Sequence, residues 1–242
     1  LSIRRQRQMC IRDRDSVAWD GKVGIDLPYH AGATYNVELN GDLKNVSSHL
    51  PSPLAKPAGE PLAVNVKVDG NLNSFELTGQ AGADNHFNSR WLLGQKLTLD
   101  RAIWAADSKT LPPLPEQSGV ELNMPPMNGA EWLALFQKGA AESVGGAASF
   151  PQHITLRTPM LSLGNQQWNN LSIVSQPTAN GTLVEAQGRE INATLAMRNN
   201  APWLANIKYL YYNPSVAKTR GDSTQSSPFP TCLLYTSPSP RD

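Results

Sequence analysis

Leu62, Val64, Val66 and Val68 alternate with Ala63, Asn65, Lys67 and Asp69. A period of two puts the four larger apolar side chains on one face of an extended strand and the polar ones on the other. The same alternation recurs at Val23, Ile25 and Leu27; at Tyr35, Val37 and Leu39; at Phe75 and Leu77; at Leu97 and Leu99; at Val120, Leu122 and Met124; at Ile154 and Leu156; at Leu171 and Ile173; and at Ile191, Ala193, Leu195 and Met197. Between these runs lie Asn40-Gly41-Asp42, Val68-Asp69-Gly70-Asn71, Asn180-Gly181 and Asn199-Asn200. Such residues tolerate the positive φ that tight hairpins need, so the pattern predicts turns there and mostly antiparallel neighbours. One-sided strands are expected over 15–110 and again over 150–215.

One segment changes period. After Asn128-Gly129-Ala130-Glu131, the residues Trp132, Leu133, Phe136 and Ala140 share a helical face. Asn128 is placed to cap, with Glu131 in the third turn position. A short helix is predicted over 129–143, before Gly145-Gly146. Ahead of it, Leu111-Pro112-Pro113-Leu114-Pro115 and Met124-Pro125-Pro126-Met127 lack backbone donors. They read as a stiff connector over 111–128 with at most a short strand. From 216 to 231 the composition turns to Ser, Thr, Gln and Pro and predicts a linker. Arg220-Gly221-Asp222 within it matches an adhesion tripeptide, a length at which chance matches dominate.

Both ends stand apart. Residues 1–14 carry five arginines without hydrophobic periodicity, and 232–242 read Cys-Leu-Leu-Tyr-Thr-Ser-Pro-Ser-Pro-Arg-Asp. Each resembles a translated sequencing adapter, and both are set aside as foreign to the fold. The two cysteines, Cys10 and Cys232, leave with them. So do six of the 21 basic and two of the 20 acidic residues, which turns a net charge of +1 into about −3. A basic arm would have suggested nucleic acid; without it, nucleic-acid binding has no support. No run approaches the roughly 18–20 apolar residues of a membrane span. In an internal stretch, that leaves room for an anchor elsewhere in a longer parent chain.

Reactive chemistry is sparse. His30, His49, His86 and His153 lie in unrelated segments with no partner at metal-ligand spacing, and are expected at the surface or at strand edges. No nucleophile elbow, phosphate loop, dinucleotide fingerprint or zinc-protease helix is present. Neither metal, cofactor nor catalytic residue is therefore assigned. Asp26, Glu38, Asp69, Asp100 and Glu121 fall on polar strand faces, where solvation explains them. A hydrolase with two facing carboxylates is the weakest alternative. Trp19, Trp91, Trp104, Trp132, Trp168 and Trp203 make a carbohydrate-binding or adhesive module the stronger one, since indole rings stack on sugars as readily as they fill cores.

The apolar faces decide among these. More than twenty inward-facing apolar residues cannot all meet water, because burying each Leu or Val is worth about 1.5–3 kcal/mol. Either a second sheet covers the first, or the sheet curls into a trough that holds something apolar; periodicity admits both. Three runs break the tie: Ser47-Ser-His-Leu-Pro-Ser-Pro-Leu-Ala-Lys-Pro-Ala-Gly-Glu-Pro-Leu62, Gly129-Ala-Glu-Trp-Leu-Ala-Leu-Phe-Gln-Lys138 and Trp203-Leu-Ala-Asn-Ile-Lys-Tyr-Leu-Tyr-Tyr212. Through them residues 15–231 resemble an internal stretch of the AsmA-like family of bridge-like lipid transfer proteins. The resemblance implies a mainly β fold: a long antiparallel, strongly curved sheet forming an apolar groove, with the one short helix near 129–143. It implies a non-enzymatic segment of a periplasm-spanning conduit that moves phospholipid between inner and outer membrane, in a parent anchored in the inner membrane. Acyl chains would then lie along Leu62, Val64, Val66, Val68, Phe75, Leu77, Leu97 and Leu99, with headgroups in water.

Overall fold

Alternating segments became strands because a pleated backbone presents every second side chain to the same side. The computed structural model describes residues 17, 19–28, 32–134, 148–149 and 151–212. It holds β1 (Trp19–Asp26), β2 (Thr34–Asp42), β3 (Ala63–Asn71), β4 (Ser74–Ala81), β5 (Asn85–Leu93), β6 (Leu97–Ala106) and β7 (Gly119–Asn123). After these come β8 (Met127–Asn128), β9 (Ala148–Ser149), β10 (Ile154–Leu163), β11 (Gln166–Thr178), β12 (Gly181–Gln187), β13 (Ile191–Arg198) and β14 (Leu204–Leu210). All belong to one open sheet with the order β1-β2-β3-β4-β5-β6-β7-β10-β11-β12-β13-β14; β8 lies on β10 and β9 on β6. The chain is thus mainly β, and almost every strand lies beside its neighbour in sequence.

The sheet is mixed rather than wholly antiparallel. β6 and β10 both pair parallel to β7; between β6 and β7 the chain recrosses the sheet before β7 begins. Residues 107–118 form the first crossover, about the length a parallel connection requires. They run over the polar face: Asn88 Nδ2 donates to Pro112 O at 3.4 Å, Arg101 to Pro115 O at 3.2 Å and Ser118 Oγ to Asp100 O at 2.8 Å. On this face Ile103 and Ala105 are buried and His86 is 6% exposed. The surface position predicted for His86 is therefore overturned, while His49 is exposed as predicted.

Two predicted turns are strand instead. Gly41 lies within β2 and Gly70 within β3. A Cβ on Gly41 would collide with the Trp19 indole, and one on Gly70 with Phe75 and the Tyr35 ring. These glycines make room for aromatic neighbours on the next strand rather than for a chain reversal. The turn after β3 comes later, where Asn71 Oδ1 accepts the N–H groups of Asn73 and Ser74 at 2.8 and 3.0 Å. Asn200 does take positive φ at its turn, 59°.

The helix begins as predicted, at 129, and is described as far as 134. Asn128 Oδ1 accepts the Ala130 N–H at 3.1 Å, and Asn128 Nδ2 donates to Glu131 Oε1 at 2.9 Å. Phe136, Ala140 and the predicted end at 143 lie outside the described residues. So do both terminal segments, His30 and the linker with its Arg-Gly-Asp.

Candidate functional site

Strand registers join the single-strand faces into continuous rows. One row runs Gly21, Leu39, Val66, Gly79, Phe87, Trp104, Leu122, Leu156, Ile173, Ala186, Ala193, Ile207, one residue from each of the twelve consecutively paired strands. It contains no polar side chain. The row beside it runs Val23, Val37, Val68, Leu77, Ser89, Ala102, Val120, Ile154, Ser175, Val184, Leu195, Ala205, with two serines as its only polar members. On the opposite face the matching row begins Lys22, Glu38, Lys67, Thr78 and Asn88.

Most residues singled out from sequence fall on this apolar face. Val64, Val66 and Val68 pair with Ala81, Gly79 and Leu77, and Gly70 with Phe75. Phe75 pairs with Trp91 and stacks on it, centroids 6.1 Å apart. Leu99 pairs with the same Trp91 and Leu97 with Leu93. A bulge where the register slips between Arg90 and Trp91 makes this possible. Without its extra residue, Leu99 would face away from Ala102 and Trp104. Leu62 falls just ahead of β3, its N–H donated to Asp42 Oδ1 at 3.0 Å.

Among the described residues no second sheet covers this face, and no large side chain is completely enclosed. Val23 is 51% exposed, Ile25 60% and Ile154 41%. Cover is local. Ala106, Met124, Met127 and Trp132 form a buried cluster packed on Leu54, Trp104, Leu122, Leu156 and Leu161. Trp132 meets Trp104 edge-on with centroids 6.3 Å apart, and its indole N–H donates to Ser52 O at 3.0 Å.

A protein-family model described as "YhdP protein" matches residues 6–238. The chain belongs to the YhdP protein family. The family match takes in parts of both terminal segments that composition sets aside. A curated relative, the "Intermembrane phospholipid transporter YhdP" of Escherichia coli (strain K12), is 99% identical over 216 residues, 89% of this chain. Those residues span only 17% of the relative's length. No solved structure matches the chain.

In this YhdP-family segment the polar face carries ion pairs. Arg157 pairs with Glu121 at 2.8 Å and Arg101 with Asp100 at 3.2 Å. No group of three or more metal-ligating side chains converges among the described residues. An open depression of about 620 Å³ is flanked by Asn36, Asp69, Glu76 and Arg90 of the polar face. The clearest perturbed acid is Glu190, in the turn before β13. Partial burial pushes its carboxyl up, but the Asn169 backbone N–H at 2.6 Å and side-chain amide at 2.8 Å, its own N–H and nearby Arg189 outweigh that and hold it below its ordinary value. No described helix is long and apolar enough to cross a membrane.

Sequence reasoning missed much of the apolar face: Phe87, Trp91, Trp104 and the inward residues of β12 and β14. One signal was available. Leu97 and Leu99 are odd and Ala102, Trp104 and Ala106 even, a phase change that a bulge produces, but apolar Ile103 and Ala105 at odd positions mask it.

Proposed function

We propose that this chain is a stretch of an intermembrane phospholipid conduit, in which acyl chains lie against the apolar face while headgroups stay in water. The observation that carries the reading is the pair of apolar rows, unbroken by charge across twelve paired strands. An exposed patch on a monomer rarely exceeds a few hundred Å² unless it binds something. An open sheet of this many strands also tends to curl, which would turn the face into a groove. The occupant follows from the relative, whose name gives phospholipid as its cargo and two membranes as its end points. The segment then works in the envelope, across the periplasm, as part of a parent anchored in the inner membrane.

Transport here needs no covalent step. A chain sliding along Leu62, Val64, Val66, Val68, Phe75, Leu77, Leu97 and Leu99 exchanges one apolar contact for another, so the path is nearly flat in free energy. Headgroups left in water are not discriminated. Of the six tryptophans that suggested a carbohydrate platform, Trp104 and Trp132 meet edge-on in the core cluster and Trp91 stacks on Phe75. The test is a pair of charges introduced at the matching positions of the Escherichia coli relative. Val66→Asp on the apolar face should abolish support of outer-membrane integrity, whereas Lys67→Glu on the polar face should leave it intact. Normal integrity with Val66→Asp would remove Val66 from the route.

A further inference from the structure

The apolar face is not equally wide along the sheet. Successive same-face residues of a strand stand about 6.6–6.8 Å apart, so each row adds that much width. Across β1 and β2 the face is open at several depths: Trp19, Leu39, Val23 and Ile25, one from each row, are 44%, 37%, 51% and 60% exposed. At β6, β7 and β10 the cluster changes this. Ala106 and Met124 are buried there in one cluster with Met127 and Trp132, and Trp104, Leu122 and Leu156 of the polar-free row pack against that cluster, as does Leu54 of the loop 43–62. Ile154, in the next row, keeps 41% of its surface. The cover comes from two places far apart in the chain, the loop 43–62 and the start of the helix, fastened where the Trp132 indole donates to Ser52 O. The loop is itself tied down: Ser48 and Lys56 exchange backbone hydrogen bonds at 2.8 and 3.0 Å, and Lys56 Nζ donates to Val46 O at 2.8 Å.

We infer that the loop 43–62 and Trp132 form a built-in constriction of the lipid path, closing the row of Trp104, Leu122 and Leu156 so that acyl chains pass along Val120 and Ile154. This rests on the conduit reading above and adds to it a place and a width. Two rows of cover remove about 13 Å of apolar width. Lipids that travel side by side over β1 and β2 must therefore pass one abreast beside Trp132. The indole N–H acts as the latch, and Trp104 as the plate on which it rests.

The test uses the full-length Escherichia coli relative, purified and loaded with a phosphatidylethanolamine bearing a photoreactive diazirine in its acyl chain, with labelled residues located by mass spectrometry. Labels are expected at the positions matching Val66 and Ile154 and not at those matching Leu122 and Leu156. Trp132→Phe keeps the apolar ring but removes the donor, and should bring a several-fold gain of label at Leu122. Equal labelling of Leu122 and Ile154 in the unsubstituted protein would overturn the constriction. An unchanged pattern in Trp132→Phe would overturn the latch. No label anywhere on the apolar face would instead bring down the conduit reading itself.

Discussion

Gly79 sits in β4 directly opposite Phe87, and a Cβ there would fall inside the Phe87 ring. The glycine lets that ring lie flat on the sheet, which keeps the polar-free row low and even. Gly79→Val improves strand propensity by at most about 1 kcal/mol, whereas displacing a packed ring costs about 1–3 kcal/mol. Destabilisation should win, seen as a lower denaturation midpoint with an unchanged denaturant slope. Val66 is a neighbour in the same row and its burden is polarity, not fit. At Glu190 the sign of the pH effect follows from its lowered pKa. Such a carboxylate stabilises the fold above its unfolded value near 4.5, and that stability is lost as pH falls through the lower folded value. Glu190→Gln should therefore flatten the loss of stability below pH 4.5, measured by thermal unfolding against pH. Unchanged acid sensitivity would mean the Asn169 contacts do not favour the ionised form.

At the scale of elements, β7 and β8 lie on β10 in a single register, Val120 beside Ile154 and Met127 beside Leu161. They are one strand interrupted. Pro125 and Pro126 on one side and Pro159 on the other have no N–H, so the ladder cannot cross the gap. Thr158 bridges it: its buried hydroxyl lies 2.9 Å from Pro125 O and 3.0 Å from Met160 O. Thr158→Val keeps the shape and strands a carbonyl, at a cost of about 1–3 kcal/mol in unfolding free energy. No loss would show that water serves Pro125 equally well. The same elements show what the sequence could and could not reveal. Strong alternation at Val64, Val66 and Val68 made β3 legible, and Asn128 with Glu131 marked the helix start. β5 was hidden because Ser89 stands between Phe87 and Trp91 on the inward side, and β12 because Leu183 points outward beside inward Val184. The parallel placement of β7 was not readable, since a proline connector's length permits a crossover without naming which strand it reaches. Nor could any single strand announce the rows, which exist only once neighbouring registers are set.

At the scale of the molecule, the described residues sort charge and hydrocarbon largely to opposite sides of one open sheet, with the start of the helix and the loop 43–62 packed on its middle. Burial of a core usually decides such a fold, yet among the described residues eight apolar ones are buried. Each half-exposed Val, Leu or Ile that a lipid chain covers contributes on the order of 1 kcal/mol, so an occupied face is considerably more stable than a bare one. Occupancy is therefore the central claim, and the most direct measurement is native mass spectrometry with lipid extraction on the chain expressed in the bacterial periplasm and purified gently. Folded protein carrying phospholipid in stoichiometric amount is expected, the lipid being lost on extraction together with part of the thermal stability. Folded, monodisperse protein that holds no lipid would contradict it.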